Sequence, residues 1–154
     1  MRHFIFYIAL ASLLIACTSN DAKTIAGPNN DSANIALQNN AINDSSNYTI
    51  VQWIDSVHQN LGSVQEGAVV EVTWHFKNIG NKPLIVSNAS ASCGCTVAEK
   101  PEAPIAPNSE GIIKAKFDSK GREGSQRKDV FVSANTTGGT NHQLSFAVEV
   151  QKKK

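Results

Sequence analysis

The chain has 154 residues, 41% of them hydrophobic, and carries 14 basic and 13 acidic side chains. This length accommodates one small globular domain rather than several. The near-zero net charge removes the electrostatic attraction on which nucleic-acid binding depends, so we expect no nucleic-acid partner.

The N-terminus has the pattern of a bacterial lipoprotein signal. A basic head precedes an apolar run over residues 4–14, which is too short to cross a bilayer as a helix. Residues 14–17, LIAC, then resemble the lipobox, where a peptidase cleaves before a lipidated cysteine. We expect residues 1–16 to be removed and Cys17 to carry the lipid. The alternatives are a plain signal peptide with a chance cysteine and a buried hydrophobic N-terminal segment.

The lipid predicts a location in the cell envelope. Each buried methylene of an acyl chain contributes about 0.8 kcal/mol, so several chains make anchoring effectively permanent. Thr18 follows the cysteine where an aspartate would favour retention in the inner membrane. We therefore expect an outer-membrane anchor, with the protein facing the periplasm or the cell surface and contacting the membrane through its lipid.

Residues 17–47 comprise the lipidated cysteine and a flexible tether. The tether is rich in Asn, Ser, Asp and Ala and has no aromatic residue, so it cannot bury enough apolar surface to offset the entropy of ordering. About 30 such residues reach on the order of 30 Å. Within the tether, Asp31-Ser32-Ala33 resembles the O-glycosylation acceptor of Bacteroidota, which makes Ser32 a candidate modification site.

Residues 48–151 have the two-residue period of β-strands. In residues 70–77 apolar side chains alternate with polar ones, and the same alternation recurs in residues 111–118 and 143–150. Residues 114–128 are locally basic but interrupted by acidic residues, so we interpret them as a solvated strand face rather than a binding patch. The last three residues, 152–154, form a basic tail.

Turn residues separate the strands. We expect Asn78–Pro83 to close a hairpin, Asn108 to adopt a positive φ after Pro107, and Thr137–Gly139 to form another turn. Seven or eight short strands with such turns predict an all-β, immunoglobulin-like sandwich of two sheets. The predicted strands are 50–55, 62–65, 68–78, 84–91, 95–99, 111–118, 126–134 and 143–150.

Short motifs in this domain resemble the bacterial family known as domain of unknown function 1573, an immunoglobulin-like module of periplasmic lipoproteins. The resemblance covers about residues 65–150 and implies a fold and a compartment, but no activity. Asn108 stands where the family has glycine, and Asn tolerates the same left-handed conformation. The motifs are Asn78-x-Gly80, Pro83-Leu84, Ser92-Cys93-Gly94-Cys95-Thr96, Pro104-Ile105-x-Pro107, Glu110-Gly111, Phe117-Asp118, Gly121, Gly124 and Ser133-x-Asn135.

With Cys17 lipidated, Cys93 and Cys95 are the remaining cysteines, in an oxidising compartment. Both point to one face if they lie on a strand, and a turn at Gly94 would bring their α-carbons within disulfide range. A ring of three residues contributes only about 1.6 kcal/mol by the loop-entropy estimate. Stability alone is therefore a weak reason for the pair.

Four interpretations of the pair remain open. It is a disulfide or thiol pair that shapes the end of a strand, a Cu(I) or Zn(II) site, a redox-active pair, or the support of a partner-docking loop. His75 is the first candidate for a further metal ligand, and His58 and His142 are others. We nevertheless expect all three histidines to be solvated side chains.

No hydrolase elbow, phosphate-binding loop or metalloprotease motif is present in the sequence. We therefore expect no enzymatic activity and no cofactor. The sequence favours a lipid-anchored module that binds or assembles with another envelope protein. The alternative is a redox protein or a Cu/Zn-handling protein that acts through Cys93 and Cys95.

Overall fold

A computed structural model describes residue 40 and residues 42–153. The predicted signal peptide, Cys17, Ser32 and most of the tether lie outside these residues. No helix in the described part of the chain is long and apolar enough to cross a membrane. A 3₁₀ helix, Ser45–Asn47, precedes eight strands: β1 (Val51–Trp53), β2 (His58–Gln65), β3 (Val69–Asn78), β4 (Val86–Ala91), β5 (Thr96–Glu99), β6 (Glu110–Asp118), β7 (Gly124–Ala134) and β8 (Asn141–Gln151).

The strands form two four-stranded sheets. Sheet 1 has the order β1-β3-β6-β5 and sheet 2 the order β2-β8-β7-β4. Neighbouring strands are antiparallel except β2 and β8, which are parallel. This is the strand order of an immunoglobulin domain, with the first strand divided between the sheets. The predicted immunoglobulin-like sandwich is confirmed.

The core lies between the sheets, where the alternating apolar residues point inward. Trp74 and Phe117 of sheet 1 are fully buried and contact Phe146 of sheet 2, with ring centroids 6.3 and 6.0 Å apart. Phe76 packs against the backbone of Gly111, where an added Cβ would come within 2.8 Å of the ring atom Cε2. The close approach of the two strands at this point therefore requires glycine.

One predicted turn is wrong. Asn78–Pro83 does not close a hairpin, because it leads from β3 in sheet 1 to β4 in sheet 2. Turn residues specify a chain reversal but not the sheet to which the chain returns. The other two turns are confirmed: Asn108 has a φ of 64°, and Thr137–Gly139 joins the antiparallel strands β7 and β8.

A buried asparagine fixes the crossover that follows β3. The Asn78 side chain is completely buried, and its Oδ1 accepts hydrogen bonds from Thr49 Oγ1 and from the backbone N–H of Gly80 at 2.8 and 3.1 Å. Its Nδ2 donates to the carbonyls of Lys82 and Ile105 at 2.7 and 2.9 Å. One side chain thus joins the N-terminal segment, the crossover and the loop before β6.

A second buried asparagine ties residues assigned to the tether to the domain. Asn135 Nδ2 donates to the carbonyls of Asn47 and Pro83 at 2.7 and 3.0 Å, and Oδ1 accepts from the N–H of Ile85 at 2.6 Å. The Tyr48 hydroxyl donates to the carbonyl of Ile42 at 2.7 Å. Contacts with the domain therefore extend to residue 42.

His142 is not a solvated side chain. It is half-buried on β8, with its ring centroid 5.8 Å from that of Trp53. The Thr136 hydroxyl, which has one proton, donates it to the Gly139 carbonyl, so His142 Nε2–H donates to Thr136 Oγ1 at 2.7 Å. Burial lowers the pKa of His142.

Replacing Asn78 with alanine should lower the free energy of unfolding by about 3 kcal/mol, because the Lys82 carbonyl, the Gly80 N–H and the Thr49 hydroxyl lose their partner. Asn88→Ala is the matched control, since Asn88 lies exposed on β4. It should change stability by less than about 0.5 kcal/mol. Urea denaturation measures both, and equal losses would contradict the structural role of Asn78.

The lowered pKa of His142 predicts that acidification destabilises the protein. The unfolded imidazole binds a proton near its ordinary pKa of 6.5, whereas burial opposes protonation in the folded state. The free energy of unfolding should therefore fall as the pH drops below about 6.5, until the folded-state pKa is passed. Denaturation between about pH 7.5 and pH 5.5 tests this. His142→Gln should reduce the slope, and an unchanged slope would count against His142 as its source.

Candidate functional site

The two cysteines lie in the turn that connects the sheets. Residues 92–95 lead from β4, an edge strand of sheet 2, to β5, an edge strand of sheet 1. Cys93 and Cys95 are joined by a disulfide, with their α-carbons 5.4 Å apart. The turn at Gly94 therefore brings the two cysteines together. They do not lie on a strand, so the expected strand geometry, in which residues 93 and 95 point to one face, does not apply.

Backbone hydrogen bonds hold this turn to both sheets. Ser92 N–H donates to the Asp129 carbonyl of β7, and Asp118 N–H of β6 donates to the Cys95 carbonyl, each at 3.0 Å. Thr96 N–H closes the turn by donating to the Cys93 carbonyl at 3.2 Å. The position of the turn thus has support besides the disulfide.

The turn borders an open groove of about 630 Å³ on the outer face of sheet 1, which we call the disulfide groove. Val69 on β3 and Val97 on β5 flank it and are 68% and 61% exposed. Their partners on the central strand β6 are Asp118 and Lys116. The lining residues are Val69, Cys93, Gly94, Cys95, Val97, Lys116, Asp118, Lys120 and Arg122.

The basic side chains of the groove differ in their partners. Lys116 Nζ donates to Glu99 Oε1 at 2.9 Å and lies 4.0 Å from Glu71, and the hydrogen bond from Lys116 lowers the pKa of Glu99. Within residues 42–153, Lys120 and Arg122 form no side-chain ion pair. The Nε of Arg122 is buried and has no hydrogen-bond partner there. The groove therefore has an excess of positive charge.

Ser119 positions the turn that presents these two cations. It is completely buried, and its hydroxyl lies 2.8 Å from the carbonyl of Ala68 and 3.2 Å from that of Gln65. Its own carbonyl accepts from Arg122 N–H at 3.1 Å. The turn between β6 and β7 is thereby fixed to the turn between β2 and β3.

The structure does not bring the histidines to the cysteines. His75 lies six residues along β3 from Val69, about 20 Å away at the strand rise, and its Nδ1 is 2.6 Å from Asp55 Oδ2. Hydrogen bonds from the backbone and ring of His75 lower the pKa of Asp55. His58 lies in sheet 2, with Nδ1 2.7 Å from Ser145 Oγ. Among the described residues, no three His, Cys, Asp or Glu side chains are placed to share a metal ion.

Residues 52–150 match the family described as "Protein of unknown function (DUF1573)". The chain belongs to the DUF1573 family. The resemblance noted from the motifs is thereby confirmed for the domain. No curated protein sequence matches the chain.

Solved structures of similar fold come from distant sequences. A protein of unknown function from Porphyromonas gingivalis W83 has a TM-score of 0.59 at 14% identity, over 69% of this chain and 49% of that one. This chain thus spans about half the length of that protein. The PapD-like domain 7 of human CEP192 has a TM-score of 0.56 at 8% identity, over 70% of this chain and 89% of that one. At these identities the likeness shows the fold alone.

Sequence reasoning missed the groove. Residues 114–128 were interpreted as a strand face, yet Lys120 and Arg122 lie in the turn after β6, beside the disulfide. One signal was available: the alternation that points Val70 and Val72 towards the core directs Val69 outward, although Val69 is apolar. Val97 of β5 lines the same groove as Val69 because β6 pairs with both β3 and β5.

Replacement with alanine should have opposite effects on stability at Gly80 and at Gly94. At Gly80 an added Cβ would lie 2.7 Å from the backbone N of Ile50, so Gly80→Ala should destabilise the DUF1573 domain by about 2 kcal/mol or more. At Gly94 the Cβ would meet nothing within 4 Å and φ is not positive. Gly94→Ala should therefore be neutral or stabilise by about 0.5 kcal/mol.

Thermal or urea denaturation of the two variants measures the difference. A destabilised Gly94→Ala would show that the fold itself requires glycine in the cysteine turn. An unchanged Gly80→Ala would show that the crossover after β3 relaxes without loss.

Proposed function

We propose that this DUF1573 protein is a lipid-anchored, non-catalytic module of the cell envelope that binds another envelope protein in the disulfide groove. The observation that carries the proposal is the exposure of Val69 and Val97, at 68% and 61%, on either side of that groove. Apolar side chains grouped on a soluble surface and rimmed by polar groups are typical of an interaction site.

The surroundings of the groove suit a binding surface. Its floor is a central strand with neighbours on both sides, and its walls are turns fixed by backbone hydrogen bonds and by Ser119. A rigid frame limits the entropy lost on binding. The polar rim contains the pair between Lys116 and Glu99, and it contains Lys120 and Arg122, which form no ion pair with any other described residue.

The glycine at position 94 is a further argument for binding at the disulfide groove. It lines the groove, is exposed, and has neither a positive φ nor a neighbour that an added Cβ would meet. No contact within the described residues therefore requires glycine at this position. A bare backbone is useful where a partner must approach closely.

Lipid anchoring is supported by the sequence. The basic head, the apolar run and the LIAC motif together support lipid modification of Cys17. The tether that follows would hold the domain away from the headgroups while keeping it at the membrane. A partner held on the same membrane would then meet the groove at a raised effective concentration.

Photo-cross-linking in intact cells tests the proposal. A photoreactive amino acid at Val97 of the full chain should yield a discrete cross-linked product in the membrane fraction. The same amino acid at Phe131, which is 47% exposed on the opposite sheet, is the matched control and should yield none. Val69→Glu should abolish the Val97 product by placing a negative charge in the groove, and Cys17→Ser should release the protein from the membrane.

Equal products from positions 97 and 131, or none from position 97, would contradict the groove as a docking site. A membrane-bound Cys17→Ser variant would contradict the lipid anchor. The cross-linked product tests the docking groove, and membrane retention of the Cys17→Ser variant tests the lipid anchor. The two parts of the proposal are therefore tested separately.

A thiol-based function is the second candidate, and one observation favours it. The Cys93–Cys95 disulfide borders an open groove with Lys120 and Arg122, and nearby cations stabilise a thiolate. In such a reaction a partner dithiol would be oxidised to a disulfide while Cys93 and Cys95 are reduced to thiols. Replacing both cysteines with serine should abolish this exchange but leave the Val97 cross-link nearly intact if the protein is a binding module.

A further inference from the structure

We propose that the disulfide groove binds an extended acidic segment of the partner protein, with a carboxylate of the segment on Arg122 and its apolar side chains on Val69 and Val97. This inference rests on the proposed function, because it names the chemistry of the segment that docks there. The argument depends on the charges of the groove, on the Arg122 guanidinium that lines it and on the position of the two valines.

The charges of the groove favour an anion. Three of its lining residues are cationic and one, Asp118, is anionic. Lys116 is already bonded to Glu99, and the Asp118 carboxylate accepts from the backbone N–H of Lys120 at 2.9 Å. In the described part of the chain, the side chains of Lys120 and Arg122 are left without an acidic partner. A ligand carboxylate complements this surface.

The guanidinium of Arg122 suits a carboxylate acceptor. Arg122 lines the groove, and among residues 42–153 its side chain forms no ion pair. Its Nε is buried, whereas a guanidinium is also able to bind a carboxylate through its two terminal nitrogens. A carboxylate that approaches along the groove would therefore supply the counter-charge that Arg122 lacks within the described residues.

A neighbouring lysine adds to the positive potential. Burial and the charge of Arg122 lower the pKa of Lys128. Lys128 Nζ lies 5.5 Å from the centre of the Phe117 ring and donates to Gln126 Oε1 at 3.2 Å, and neither contact supplies a formal negative charge. A bound carboxylate would reduce the repulsion between Arg122 and Lys128.

The valines distinguish a peptide from a free inorganic anion. Val69 and Val97 lie on β3 and β5, on opposite sides of β6. The strands that carry them are therefore two strand spacings apart, which together amount to about 10 Å. Three or four residues of extended chain cover this distance at about 3.3 Å each. An inorganic anion makes no use of the two apolar side chains, whereas a segment with apolar residues around an acidic one contacts both.

Selection from random seven-residue peptides displayed on phage tests the inference, with the full chain immobilised in detergent. Enriched peptides should carry Asp or Glu flanked by Val, Ile or Leu. For a synthetic peptide of the enriched sequence, Arg122→Gln should weaken binding about tenfold or more, and Lys120→Gln should weaken it by a smaller factor. Arg127→Gln is the control, because Arg127 lies 67% exposed on sheet 2 and should not affect binding.

A double-mutant cycle makes the test specific. Replacing the acidic residue of the peptide with its amide should weaken binding to the native chain but not to Arg122→Gln. Peptides enriched without an acidic residue, or equal binding to the native chain and Arg122→Gln, would overturn the inference. Inorganic phosphate that displaces the peptide at concentrations below the peptide's own Kd would overturn it in favour of a small anion.

The result is separable from that of the proposed function. If the cross-link at Val97 persists in Arg122→Gln, the groove remains the docking site and the carboxylate contact is wrong. If selected peptides bind through Arg122 but no cellular product forms at Val97, the carboxylate site stands and the proposed docking of an envelope protein fails.

Discussion

The side-chain amide of Asn78 fixes the loops at one end of the sandwich. Oδ1 accepts from Thr49 and Gly80, and Nδ2 donates to the carbonyls of Lys82 and Ile105. Three of these partners are backbone groups and the fourth is the Thr49 hydroxyl, and they come from three segments of the chain. The Ile105 carbonyl also accepts from the backbone N–H of Leu84 at 2.9 Å. The other three would lose a partner without the amide, at about 1–3 kcal/mol for each buried group. The crossover from β3 to β4 therefore depends on this amide.

The opposite end of β3 has a different role. Val69 lies nine residues from Asn78, about 30 Å at the strand rise, and flanks the disulfide groove. Here Ser119 holds two turns together through backbone carbonyls, and the cysteine turn links the edge strands of both sheets. Polar groups at the Asn78 end are turned inward and satisfied. Those of the groove, Lys120 and Arg122, remain available to a partner.

The sequence predicted the strands well where a strict alternation exists. The observed ends of β3 and β6 lie within one residue of the predicted ones, because each strand has one buried and one exposed face. It placed the start of β2 four residues late, at 62 rather than at His58, since residues 58–61 follow no clear alternation. It also placed His142 in solvent, because packing against Trp53 depends on the contact between the sheets.

The candidate site was predicted only in part. The spacing of Cys93 and Cys95 is compatible with a disulfide, and the structure contains one. The groove beside it depends on the pairing of β3 with β6 and of β6 with β5, which places Val69, Lys116 and Val97 on one face. Such long-range pairing is not encoded in any local pattern of the sequence. The family match supplies the fold but no ligand.

Hydrogen–deuterium exchange at single amides tests most directly whether the buried asparagines hold the framework together. The N–H groups of Gly80 and Ile85 donate to the side chains of Asn78 and Asn135 at 3.1 and 2.6 Å, outside any strand ladder. Both should exchange only through global unfolding, with the same free energy as the amide of Trp74 in the core. Exchange of Gly80 and Ile85 at the rate of an exposed loop would contradict this account.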